Sequence, residues 1–163
     1  MTPVMLSPVA LPVVLHRPRR WTGAGVRLQE FPMNEEPTPA ERVVATDAAL
    51  ALIAQLTAAH GPVMFHQSGG CCDGSAPMCY PDGDFKLGDS DVHLGDLTVP
   101  GLEAPIGFHM SESQYGYWKH THLTVDVVKG RGSGFSVEAP EGVRFLIRSR
   151  LFTDDEVATL EAR

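Results

Sequence analysis

Hydrophobic residues recur with a helical period in one early stretch of the chain. Between residues 46 and 60 they return every three or four positions, and the His60-Gly61-Pro62 sequence then ends the pattern. This predicts an amphipathic helix of about four turns. The Thr38-Pro39-Ala40-Glu41 sequence predicts a helix start, because proline suits the first turn and an acid follows the threonine by three residues, and a second start is possible at Thr46-Asp47. The helical positions are Ala49, Leu50, Leu52, Ile53, Leu56 and Ala59.

Shorter stretches with a period of two follow, separated by glycine and proline turns. They predict strands at residues 62–65, 92–97, 106–110, 117–128, 135–138 and 143–148, and the acids at 154–156 predict a short final helix. Together these elements predict an α+β fold. One long N-terminal helix packs on a curved, mainly antiparallel β-sheet, and a short C-terminal helix closes the chain.

The first 37 residues do not share this patterning. Five prolines within residues 1–32 interrupt any helical or strand period, so we expect residues 1–37 to be a disordered extension and residues 38–163 to form one globular domain. An alternative is that translation starts at Met33. Nowhere does the sequence reach the ~18 consecutive apolar residues that a membrane span needs.

Charge and cysteine content narrow the function classes. The formal net charge is −7, and four arginines precede residue 33, so the predicted domain is more acidic than the whole chain. Nucleic acid is therefore not expected as a partner, since phosphate binding needs clustered Lys and Arg. Three cysteines, two of them adjacent, do not form a secreted disulfide framework and favour the cytoplasm.

All three cysteines lie within nine residues, in a glycine-rich loop that follows the strand predicted at 62–65. Adjacent cysteines cannot form an unstrained disulfide, because their Cα atoms are only ~3.8 Å apart. Thiolates with one nitrogen ligand suit zinc or iron. We therefore predict a zinc or iron site in this loop, with Cys71, Cys72 and Cys79 as thiolate ligands and His66 as a nitrogen ligand.

A second group of candidate ligands lies on the strand predicted at 117–128. His120 and His122 are two residues apart, so their side chains should leave the same face of the strand. Both are predicted metal ligands, and His109 or His93 on a neighbouring strand would supply a third nitrogen. The alternative is that each histidine makes an ordinary hydrogen bond on a half-polar sheet face.

The same residues permit other functions. In a metal-free thiol protein, one cysteine would be a nucleophile toward an aldehyde or an oxidant, activated by His66, and a second would resolve it. The cysteines are structural in two further alternatives, an inert tight loop and a plain binding module.

Several motifs carry a resemblance to a known family. They are the segments 60–75, 77–81, 118–121, 126–128 and 134–138. On these residues the span 42–156 resembles the bacterial family catalogued as domain of unknown function 779. The resemblance implies a small soluble protein often encoded beside NAD-dependent aldehyde dehydrogenases, and hence an accessory role in aldehyde or alcohol metabolism with such an enzyme as partner.

A fainter similarity links the chain to iron-sulfur carriers of the HesB type. Gly70-Cys71 and Gly134-Phe135 match that family's glycine-cysteine loop and later turn, whereas Arg148-Ser149-Arg150 stands where its two C-terminal cysteines would be. The resemblance implies a similar curved sheet without the same cluster site. Curved sheets with exposed edges often pair, so a homodimer is a further expectation.

Overall fold

The computed structural model describes residues 40–68, 76–130 and 134–162. The chain divides into two units, Met1–Glu35 and Glu36–Arg163, and every described residue belongs to the second. The predictions made for residues 1–37, including a start at Met33, lie outside the described residues. So do residues 69–75 of the cysteine loop.

The described residues form seven strands and three α-helices, with strands predominating. In chain order they are β1 (Val43–Ala45), α1 (Asp47–His60), β2 (Val63–Gln67), β3 (Met78–Pro81), β4 (Asp91–Leu97), β5 (Ile106–Ser111), α2 (Glu112–Trp118), β6 (Thr121–Lys129), β7 (Val143–Leu151) and α3 (Asp154–Glu161).

Helix α1 begins and ends where the local sequence provides caps. The Thr46 hydroxyl accepts a hydrogen bond from the Ala49 amide at 3.2 Å, which satisfies one of the free amides of the first turn. Gly61 ends the helix with φ of +82°, a conformation that costs glycine little. The buried side of the helix carries Ala49, Ile53 and Leu56.

The strands form two sheets. In the four-stranded sheet the order is β3-β2-β5-β4, with β2 parallel to β5 and the other two pairs antiparallel. In the three-stranded sheet the order is β1-β6-β7, with β1 parallel to β6 and β7 antiparallel to it.

Apolar side chains from both sheets meet in one core. Phe65 of the four-stranded sheet packs edge-to-face on Phe145 of the three-stranded sheet, with ring centres 4.8 Å apart, and stacks on Phe108 at 5.9 Å. Such aromatic contacts contribute ~0.5–1.5 kcal/mol beyond the burial of their surface. Each sheet therefore has an inner face in this core and an outer face that carries polar residues, such as His109 in β5 and Thr124 in β6.

The predicted architecture was wrong in three respects. The strands form two sheets instead of one curved sheet. A long helix from Thr38 is not formed, because Val43–Ala45 is a strand that hydrogen-bonds to β6, and the helix spans only Asp47–His60. The strand predicted from residue 117 starts at Thr121, because Glu112–Trp118 forms α2. The fold is therefore a mixed α+β fold in which strands dominate.

The segment predicted as a strand at 135–138 has another role. It is a turn that runs into a short 3-10 helix, Ala139–Glu141, and it covers the open edge of β3. The Cys79 amide donates to the Ser136 hydroxyl at 2.8 Å, and the Val137 amide donates to the Cys79 carbonyl at 3.0 Å. These bonds satisfy an edge that would otherwise be free to pair with another chain.

Candidate functional site

Three histidines lie side by side across three neighbouring strands of the four-stranded sheet. His66 of β2 is in register with His109 of β5, and His109 is in register with His93 of β4. Residues in register on adjacent strands project from the same face, so the three side chains share the outer face of the sheet. We call His66, His109 and His93 the histidine row.

The imidazole of His66 is anchored by a carboxylate. Its Nε2 lies 2.8 Å from Oδ1 of Asp91, which stands on β4, two strands away. The other oxygen of Asp91 accepts a hydrogen bond from the Gly88 amide at 2.8 Å. The Gly88 amide and then His66 lower the pKa of Asp91, so this group stays a carboxylate and orients the ring.

An aromatic side chain covers this pair. Phe85, in the loop after β3, stacks on His66 with ring centres 4.2 Å apart, and Tyr80 stacks on Phe85 at 5.0 Å. As a result His66 is only 2% exposed although it lies on the outer face of the sheet.

The other two histidines are close together and more open. The rings of His93 and His109 have centres 5.0 Å apart, and Nε2 of His93 lies 2.9 Å from Oδ1 of Asp96. The ring of His109 lies over Gly107, where the Cβ atom of any larger residue would approach its Cε1 to 3.0 Å. Gly107 therefore provides the space that this orientation of His109 requires.

A β-bulge brings Asp96 to the same face as His93. Successive residues of a strand alternate between faces, so two residues three apart should point in opposite directions. The pairing of β4 with β5 shifts between His93 and Gly95, and Leu94 is the extra residue. This shift returns Asp96 to the outer face beside His93.

Two nitrogens of the row are buried without a hydrogen-bond partner among the described residues. They are Nδ1 of His66 and Nδ1 of His109. Burial, and then the nearby His93 and His66, lower the pKa of His109, which keeps its ring neutral at pH 7. A neutral imidazole nitrogen with a free lone pair can accept a proton or bind a metal ion.

The carboxylate and imidazole pairs have the arrangement found around metal-bound histidines. A histidine ligand usually donates its second ring N–H to a carboxylate, which fixes the tautomer and the ring orientation. Asp91 and Asp96 stand in that position relative to His66 and His93. Within residues 40–68, 76–130 and 134–162, however, no group of three or more His, Cys, Asp or Glu side chains converges closely enough to hold an ion as it stands.

The structure separates the ligands predicted from the sequence. His66 lies on the outer face of the four-stranded sheet, whereas the buried Cys79 pairs with Phe65 on its inner face. Burial, and then Glu138, raise the pKa of the Cys79 thiol well above its ordinary value. His122 lies in β6 of the three-stranded sheet, whereas His120 lies in the turn that directly precedes β6. Cys71 and Cys72 lie outside the described residues.

Sequence reasoning missed most of this site. It named His93 and His109, but as neighbours of His120 and His122, and it did not select Asp91 or Asp96. A usable signal was present, since Asp91 directly precedes the strand predicted at 92–97 and is two residues from His93, and Gly107 and His109 are two apart on the strand predicted at 106–110. The register between strands and the bulge at Leu94 are not visible in that pattern.

Comparison with known proteins identifies a family and nothing closer. Residues 52–151, more than half of the chain, match the family described as Domain of unknown function (DUF779). No curated protein and no solved structure matches the chain. In the part of the chain that the structure describes, none of the helices has the length and apolar character to cross a membrane.

Proposed function

The chain belongs to the family Domain of unknown function (DUF779), and we propose that it is a metal-binding protein that holds zinc or iron on the histidine row. His66, His109 and His93 would be the nitrogen ligands. Asp91 and Asp96 would orient two of the rings through their second nitrogens.

One observation carries this proposal: three histidines lie in register on adjacent strands, two of them are hydrogen-bonded to carboxylates, and two have buried Nδ1 atoms without a partner in the described part of the chain. A buried polar atom without a partner costs ~1–3 kcal/mol, and a fold retains that cost where a ligand satisfies the atom. For His66 the two features coincide, because Asp91 contacts Nε2 and no described residue contacts Nδ1, which can therefore bind the ion.

The spacing of the two more open rings also suits a shared ion. Imidazoles bound to one tetrahedral zinc ion at Zn–N distances of ~2.0–2.1 Å have ring centres ~5 Å apart. The rings of His93 and His109 are 5.0 Å apart. Because the three histidines do not converge as they stand, binding requires a side chain to turn. His93 is free to do so, since 49% of its side chain is exposed.

Nitrogen ligands suit zinc, iron and other first-row transition metals, so the row itself does not select between zinc and iron. The prediction that Cys71 and Cys72 supply thiolates concerns residues outside the described part of the chain. Whether the metal has sulfur ligands therefore decides between the histidine row and the cysteine loop as its ligands.

The experiment is metal binding by the full-length chain, purified without oxygen, with Zn²⁺ and Fe²⁺ as the ions titrated. The informative variants are His109→Ala, which removes the central ligand, and a Cys71→Ser/Cys72→Ser double variant. His60→Ala is the matched control, because His60 is an exposed histidine at the end of α1, away from the row. X-ray absorption then separates Zn–N bonds of ~2.0–2.1 Å from Zn–S bonds of ~2.3 Å.

We expect about one bound ion per chain with a nitrogen and oxygen shell, lost in His109→Ala and retained in the control. A sulfur shell that survives His109→Ala would overturn the histidine row as the site and favour the cysteine loop. No tight binding in any sample would overturn metal binding altogether.

A second candidate function uses the Asp91 and His66 pair without a metal. Asp91 contacts Nε2 of His66, and Nδ1 has no partner among the described residues, which is the arrangement of a general base. In this alternative the chain is a thiol protein, in which His66 activates Cys71 or Cys72. Its test is alkylation of the metal-free chain, where one thiol should react much faster than a free cysteine and His66→Ala should abolish the difference.

The wider setting is also part of the proposal. The family resemblance supports an accessory role beside an aldehyde dehydrogenase, and the odd number of cysteines supports a cytoplasmic location. Co-purification of the full-length chain with such an enzyme, and the mass of the purified chain in solution, test the partner and the expected homodimer.

A further inference from the structure

A groove lies away from the histidine row, between α2, the end of β7 and α3. Its volume is about 430 Å³, within the range of small-molecule sites. Apolar side chains form much of its wall, and Leu151 and Val157 are 73% and 39% exposed there. The polar residues that line it are Arg42, Lys119, His120 and Glu161.

The guanidinium group of Arg42 is held in place at this groove. It lies 5.9 Å from the ring centre of Tyr115 and 5.6 Å from that of Phe152. One of its terminal nitrogens, Nη1, donates to the Lys119 carbonyl at 3.0 Å. An arginine fixed against aromatic rings has little side-chain entropy left to lose when it binds a ligand.

Most of the donors of Arg42 have no partner among the described residues. The guanidinium group uses a single N–H in the hydrogen bond to Lys119, and it carries five. No described carboxylate lies within ion-pair distance of Arg42 or Lys119, although the chain is acidic overall. The groove thus combines two cations with one acid, Glu161, on an otherwise negatively charged protein.

We propose that this groove binds a small organic carboxylate with an apolar body, whose carboxylate pairs with Arg42. The planar guanidinium group matches a carboxylate with two parallel hydrogen bonds, and Lys119 adds a second positive charge. The apolar body lies against Leu151, Val157 and Leu160. This proposal is independent of the metal site.

The test compares three probes of nearly equal shape on the full-length chain: phenylacetate, phenylacetamide and phenethylamine. Binding is followed by amide NMR shifts, which also locate it. We expect phenylacetate to shift the amides of Tyr115, Leu151 and Phe152, and to bind at least ~10-fold more tightly than phenylacetamide, because only the carboxylate makes charge-assisted bonds. Phenethylamine should not bind.

Two variants test the role of Arg42 in different ways. Arg42→Gln should weaken phenylacetate binding by at least ~10-fold. Val157→Glu leaves Arg42 intact and adds an acid to an exposed part of the wall, so it should cause a similar loss even if Arg42→Gln folds poorly. Arg148→Gln is the control, because Arg148 is an exposed arginine paired with Asp126 outside the groove; its affinity should not change.

Equal binding of phenylacetate and phenylacetamide would overturn the proposal, since the groove would then be only an apolar surface. So would unchanged affinity in a folded Arg42→Gln variant, or shifts confined to amides elsewhere in the protein.

Discussion

Replacing Gly107 with alanine tests the histidine row with the smallest change that the sheet permits. The added carbon would stand 3.0 Å from Cε1 and 3.6 Å from Nδ1 of His109, and 3.8 Å from Oδ1 of Asp96. Ordinary contacts of this kind begin at 3.4 Å, so the His109 ring must move by about 0.4 Å or turn to another rotamer. The backbone of Gly107 needs no special conformation, because its φ is not positive.

The size of the effect follows from two separate terms. The distances between a metal ion and its ligand atoms vary by only ~0.2 Å, so a ring displaced by twice that amount loses much of its bond to the ion. We expect metal affinity to fall by ~10–100-fold, the loss typical when the support of a ligand is removed. Alanine is also ~0.5–1 kcal/mol better than glycine inside a strand, which offsets the strain of moving an imidazole ring. The melting temperature should therefore change by no more than ~4 °C.

The assay is a Zn²⁺ titration by calorimetry beside thermal unfolding of the metal-free chain. Gly116→Ala is the matched control, because no described atom beyond the backbone of its own helix lies within 4 Å of the added carbon, and Gly116 is in α2, outside the row. If Gly107→Ala binds zinc as tightly as the unchanged chain, His109 is not a ligand in this orientation. If both variants lose binding equally, the loss does not come from the His109 ring.

Three further predictions concern the turn at residues 135–138 that covers the edge of β3. Ser136→Ala removes the acceptor of the Cys79 amide, so urea unfolding should show that the free energy of unfolding falls by ~1–3 kcal/mol. A decrease below ~0.5 kcal/mol would contradict a stabilising role for this turn. Burial raises the pKa of Glu138, so the folded state keeps this proton to a higher pH than the unfolded state. The stability that this group contributes is therefore present below the ordinary glutamate pKa and is lost as the pH rises through the raised pKa. Glu138→Gln should remove that part of the pH dependence. Identical plots of unfolding free energy against pH for the variant and the unchanged chain would refute this prediction. The Cys79 thiol is buried and has a raised pKa, so it should react with an alkylating reagent only when the protein opens. The alkylation rate of Cys79 should therefore follow unfolding as urea is added. A fast reaction that does not depend on urea would show that the thiol is accessible.

Local patterns determined the elements whose signals lie within a few residues. The Thr46 cap and the Gly61 stop bound α1 as expected, because capping depends only on the neighbouring backbone. The alternation of residues 106–110 predicted β5, since one face of that strand is buried and the other is not. The acids at 154–156 predicted the start of α3, where a complete capping box forms.

Local patterns could not predict the elements whose hydrogen-bond partners lie far along the chain. Val43–Ala45 is too short to show a period, and it is a strand because β6 supplies its hydrogen bonds. Gly134-Phe135-Ser136-Val137 alternates like a strand, yet it caps the edge of β3 through Ser136 and Val137. In both cases the partner lies more than fifty residues away, so no local pattern contains it.

For the candidate site, the sequence determined which chemistry is available, and the tertiary structure decided where it gathers. The sequence alone shows histidines at positions 66, 93 and 109. Their meeting depends on β2 and β4 both pairing with β5 in one particular register, and on the bulge at Leu94 that turns Asp96 outward. The physical reason is the two-residue period of a strand, because a slip of one position would send a histidine into the core and leave the row incomplete.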